Sequence, residues 1–172
     1  FTAFKTMIKE IGVEVEINPV PQEMSETIPF DEDTKPRQYD AVKAREGFEM
    51  YTFAYVPLID FVSGFRCKTK LPELFWGTFD LTGILYSGNA APYPGDGIIE
   101  KVAFDEELSE YGFWPGDDTG GDPSFFVLPY PFVEEDLSGR LSETSRGFYS
   151  KEQAEFFLPL KDALESDDPY AE

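Results

Sequence analysis

Histidine is absent from the 172 residues, and cysteine occurs once, at Cys67. The first absence removes Ser-His-Asp and Cys-His catalysis, histidine-ligated zinc and an imidazole base from this chain's chemistry. The second removes an intramolecular disulfide framework. Basic residues are also scarce, with 14 Lys and Arg against 34 Asp and Glu and a net charge of −20. Lacking a basic cluster, the chain is disfavoured for direct contact with nucleic-acid phosphates and for adsorption to an anionic membrane. No apolar run reaches membrane-spanning length and no signal peptide is visible, so the expected location is cytoplasmic. Phosphate-loop and dinucleotide glycine patterns are missing too. The chemistry left belongs to carboxylates, Tyr, Lys, Ser, Thr and the backbone, with no cofactor and no metal implied.

What the chain has in quantity is aromatic side chain: 17 Phe, 9 Tyr and 2 Trp, or 16% of its residues. Such rings carry large apolar area and are expected to supply much of the core of a single domain. The acidic excess reads first as a solvated surface that keeps the protein soluble. It also admits an acidic protein-interaction module or a mimic of nucleic acid.

Along the chain, Phe1, Phe4, Ile8 and Ile11 recur at helical spacing, and Gly12 stands where a C-terminal cap belongs. Val13, Val15 and Ile17 alternate with Glu14 and Glu16, the pattern of a half-buried strand. Four prolines between 18 and 37 predict an extended, wrapping loop. A long helix is expected from Asp40, its N-cap, to Gly64, with Pro57 kinking or dividing it and Val42, Phe48, Tyr55, Ile59 and Val62 as its apolar stripe.

Residues 74–86 read as strand, with Gly77 and Gly83 marking bulges or close backbone approach, and Ser87-Gly88-Asn89 as the turn that ends it. Further strands are expected at 125–130 and 156–158, with a polar surface loop over 133–147. Asp168-Pro169 reads as a helix start near the end of the chain. Both ends cut through elements, which predicts a longer natural protein with a missing β-rich N-terminal part. If that part supplies strands, the apolar edge left behind would favour a homodimer. The fold class expected is α+β, an antiparallel sheet with one long helix and shorter terminal helices packed on it.

Four segments, in order, carry a resemblance: IPFDED (28–33), LFWGTFDL (74–81) with YSG (86–88), GFWPG (112–116) and EFFLPL (155–160). Together they resemble a bacterial family catalogued only as domain of unknown function 5996. The resemblance implies an α+β fold and a soluble bacterial protein, and it covers the later part of the family's pattern. It also exposes departures. Relatives tend to carry His where this chain has Glu73 and Glu106, and Arg where it has Leu85. Chemistry that depends on those groups in relatives is then lost or altered here.

Among candidate site residues, Trp76, Phe79, Phe113, Trp114 and Tyr130 read either as packing residues or as the lining of a concave pocket. Trp114, in a GFWPG segment expected to be a loop, argues most for the pocket. Asp80 follows an apolar run, where a carboxylate serves as a general acid, a ligand anchor or a local hydrogen-bond acceptor. The acidic runs 31–33 and 117–122 do not fit the EF-hand spacing and read as solvated loop, with the former pairing Arg37 or Arg66 or capping a helix. The expected function is binding of a small molecule at Trp76, Asp80, Phe113, Trp114 and Tyr130. The alternative is a carboxylate-dependent hydrolase acting on a carbohydrate-like substrate.

Overall fold

A computed structural model describes residues 1–21, 26–117, 121–133 and 135–167. They fall into two compact units, Phe1–Asp40 and Ala41–Glu172.

In the first unit, helix α1 spans Thr2–Glu10. It closes as its sequence predicts: Gly12 N–H donates to the Lys9 carbonyl at 3.0 Å and Val13 N–H to the Ile8 carbonyl at 3.2 Å. This is the Schellman pairing that satisfies carbonyls of the last turn. The strand expected over Val13–Ile17 does not form. The segment carries no strand and has no strand partner among the described residues, and alternation without a ladder is not a strand. The proline-punctuated stretch carries no regular element in its described part. Asp33 holds the 28–37 segment together by accepting from Arg37 at 2.6 Å and from the Lys35 N–H at 3.0 Å. The Arg37 bond, then the Lys35 amide, keep its carboxyl below the usual carboxylate range.

The second unit is α+β. Helix α2, Ala41–Ser63, begins directly after Asp40 and runs unbroken through Pro57. A proline inside a helix costs about 3 kcal/mol, and the buried line Ala54, Leu58 and Val62 on either side of it offsets that cost. The expected stripe is corrected: Val42, Phe48 and Tyr55 are exposed, while Met50, Tyr51 and Ile59 flank the buried line. Apolar residues surround so much of this helix that spacing alone does not choose the buried face.

A six-stranded antiparallel sheet follows, ordered β1-β2-β3-β4-β6-β5. Its strands are β1 Thr69–Leu74, β2 Leu81–Ala90, β3 Glu106–Trp114, β4 Ser124–Tyr130, β5 Phe148–Ser150 and β6 Glu155–Pro159. Short helix α3, Ile98–Ala103, precedes β3, and α4, Leu160–Leu164, follows β6. The 74–86 expectation is corrected as well. LFWGTFDL is not one strand but the hairpin between β1 and β2, closed by Phe75 N–H donating to the Asp80 carbonyl at 2.8 Å. Phe79 takes a left-handed φ of 64° within it, and Tyr51 on α2 donates its hydroxyl to the Phe79 carbonyl at 2.5 Å.

Ser87-Gly88-Asn89 lies inside β2 as an irregularity of the ladder rather than its end. Glu106 accepts from the Gly88 N–H, and Glu107 accepts from Ser87 and Asn89. Asp168-Pro169 lies outside the described residues.

Side-chain alternation gives the sheet two faces. Leu81, Tyr111 and Phe113, with Leu85, Phe125 and Val127, pack toward Ala54, Leu58 and Val62 of α2. The even-numbered positions of β2, β3 and β4 face the other way. Among them Thr82, Leu108, Phe126, Leu128 and Tyr130 are buried.

Candidate functional site

The structure separates the residues expected to form one pocket. Trp76 sits at the tip of the β1–β2 hairpin, 80% exposed, touching Phe79 edge-on. Asp80 closes the hairpin and accepts the Thr78 hydroxyl at 2.6 Å. Trp114 ends β3 rather than occupying a loop, and its ring packs where a side chain on Gly121 would stand. Since Leu81 pairs Phe113, Asp80 and Trp114 adjoin that pair at one end of the sheet. Phe113 is on the helix face with no exposed surface. Tyr130 lies at the far end of β4, beside Phe104 and Phe132. From Ser124 to Tyr130 the strand runs on the order of 20 Å.

Two other places have the makings of a site. The first is a cleft of about 470 Å³ between the C-terminal half of α2 and strands β3, β4 and β6. Phe61, Tyr111, Phe125, Val127 and Phe156 line it, Leu141 and Gly147 of the intervening loop border it, and Asp60 and Ser145 bring polar atoms to it. Gly83 lets this wall form. A Cβ there would lie 2.4 Å from the Tyr111 hydroxyl, so only glycine allows the Tyr111 ring to lie across β2 and meet Phe61 at 5.0 Å. A hollow of about 550 Å³ in the first unit, beside Lys5, Lys9, Glu14 and Glu16, is walled by a helix with no buried residue.

The second place is on the opposite face of the sheet. Glu110 faces Ile84 on one side and Leu128 on the other, and the pairing of Val127 with Phe156 sets Glu155 beside Leu128. Burial pushes the Glu110 carboxyl up to about 7, helped by the negative charges of Asp80 and Glu155 and opposed by Lys70. Burial, then Asp80, lifts Glu155 to about 7 as well. Three carboxylates that influence one another therefore share a face with an apolar row between them. Among the described residues no group of three or more Cys, Asp or Glu is placed to hold a metal ion.

Comparison with known proteins gives one result. The model of the Family of unknown function (DUF5996) matches residues 1–172, the whole chain. The chain belongs to the DUF5996 family. No curated protein and no solved structure matched. Among its described residues, no helix of this DUF5996 chain is long and apolar enough to cross a membrane.

The positions that depart from the family's expected pattern are engaged locally in this DUF5996 chain. Glu73 pairs Lys70 at 2.8 Å, and Glu106 pairs Lys68 at 3.3 Å besides holding the β2 irregularity. Sequence reasoning missed Glu110 and Glu155. A signal existed: each is an acidic residue at the inward phase of an apolar strand, the argument that singled out Asp80.

Proposed function

We propose that this domain binds a small, largely apolar molecule in the cleft between α2 and the sheet. The observation that carries the reading is the cleft itself, about 470 Å³ with rings from both α2 and the strands, a size and lining suited to a small-molecule site. It keeps the aromatic-lined site expected from the sequence but moves it to Phe61, Tyr111, Phe125 and Phe156. Rigid aromatic walls bury a flat ligand with little loss of side-chain entropy, and Asp60 or Ser145 orients a polar substituent. The hydrolase reading draws on Glu110 and Glu155, but these stand on the other sheet face, out of reach of a ligand in this cleft.

A thermal-shift screen of aromatic and aliphatic compounds beside sugars, nucleotides and divalent cations tests the proposal. An apolar class is expected to raise the Tm, by linkage worth about 2.7 kcal/mol at a hundredfold excess over Kd. Leu141→Trp, at a loop position, should fill the cleft and abolish that shift while the protein stays folded. Stabilisation by sugars alone, or a shift that survives Leu141→Trp, would count against the cleft.

A further inference from the structure

The face of the sheet away from α2 combines four features that belong together chemically. Glu110 and Glu155 flank Leu128, and Asp80 is close enough for its charge to act on both. Thr82, two residues after Asp80 on the same face, is 1% exposed, and its hydroxyl has no hydrogen-bond partner among the described residues. It pairs with Gly112, one step along the face from Glu110. Finally, a Cβ on Gly112 would lie 2.8 Å from the tip of the Phe126 ring, so that ring lies across β3 toward Thr82.

We propose that this face binds an organic cation, an ammonium or guanidinium group, held among Asp80, Glu110 and Glu155 with the Thr82 hydroxyl as acceptor. A buried hydroxyl without a partner is costly and rare, and an N–H donor from a ligand would satisfy it. Glu110 and Glu155 stand on strands separated by one other, about 10 Å apart at the backbone. That spacing suits an extended cation, and among the described residues no group of three or more Cys, Asp or Glu is placed to hold a metal ion. An aromatic ring beside carboxylates is the surrounding that organic cations favour, because the ring face attracts positive charge.

The protein's own nearest cation is already engaged: Lys70 bonds Glu73 at 2.8 Å and lies 4.7 Å from the centre of the Phe75 ring. Burial and the neighbouring negative charges, opposed only in part by Lys70 at Glu110, keep protons on both glutamates toward neutral pH. A bound cation would release those protons.

Isothermal titration calorimetry of the whole chain at pH 7, with agmatine and with tetramethylammonium as probes, tests the inference. At least one probe should bind, with proton release detected as a heat that changes with the ionisation enthalpy of the buffer. Glu110→Gln and Glu155→Gln are near-isosteric and relieve repulsion, so both variants should fold, and each should weaken binding about tenfold. Thr82→Val should weaken agmatine, which can donate an N–H, more than tetramethylammonium, which cannot. Glu152→Gln, at an exposed site, is the control for the overall negative charge and should leave the affinity unchanged. If neither probe binds at millimolar concentration, or if Glu152→Gln and Glu110→Gln weaken binding equally, the inference fails.

Discussion

Glycines show at the residue scale how closely this sheet is fitted. Gly112 faces a backbone obstacle as well as Phe126, since a Cβ there would stand 2.4 Å from the Leu81 carbonyl oxygen. At Gly47, half-buried on α2, an added Cβ would meet nothing within 4 Å. The same substitution should therefore act in opposite directions. Gly47→Ala is expected to stabilise by about 0.5–1 kcal/mol through helix propensity. Gly112→Ala should destabilise by about 1–3 kcal/mol, because the ladder or the Phe126 ring must shift to admit the methyl group. Urea denaturation of the two variants measures both. Equal effects would mean that the close approach at Gly112 relaxes freely. Neither effect is visible in sequence, where each residue is a single glycine followed by Phe.

At the scale of elements, local chemistry was readable and partnership was not. The α1 cap, the extent of α2 and strands β4 and β6 follow from glycine placement, prolines and compact apolar runs. The FWG block was misplaced because an unbroken apolar run looks like strand whether it lies in a ladder or turns back. What makes it a hairpin is distant in sequence: Tyr51, on α2, anchoring the Phe79 carbonyl.

The same lesson holds for the sites. Asp80 and Trp114 were recognised and adjoin the Leu81–Phe113 pair at one sheet end, whereas Glu110 and Glu155 become neighbours only through the strand order β3-β4-β6. Tyr51→Phe tests the anchor. It removes one hydroxyl and should cost about 1 kcal/mol, with faster amide exchange at Phe75 and Phe79 and little change at the β3–β4 pairing. Uniform acceleration across the sheet would show that Tyr51 supports the whole fold and not the hairpin.

For the whole molecule, the consequence of so acidic a sequence is a stability that declines with pH. Glu110 and Glu155 hold protons up to about 7 in the folded state, against an ordinary value of 4.5. The folded protein therefore binds more protons than the unfolded chain between those limits. Their contribution is fully present below about 4.5 and is lost as pH rises through about 7. Lys70, on β1, attracts Glu110 and reduces the loss, while Asp80 adds to it. The net charge of −20 acts in the same direction, since repulsion grows as the remaining protons leave. Asp33, held low by Arg37, acts oppositely but only at acid pH, and its partner Arg37 is exposed, so solvent screens the pair.

Between pH 5 and pH 8 the loss should be on the order of 2 kcal/mol, or about 4–8 °C in Tm for a chain of this length. Salt should restore part of it at pH 8 and little at pH 5, because screening acts on the charges that have formed. The double variant Glu110→Gln, Glu155→Gln separates the two origins. Neutral amides at both positions should flatten most of the pH dependence and leave the salt effect at pH 8, which belongs to the surface. A scanning-calorimetry series in which the double variant keeps the full pH slope would move the effect from the buried pair to the surface charge. The sheet face would then hold its glutamates ionised, with water or Lys70 supplying what burial withholds.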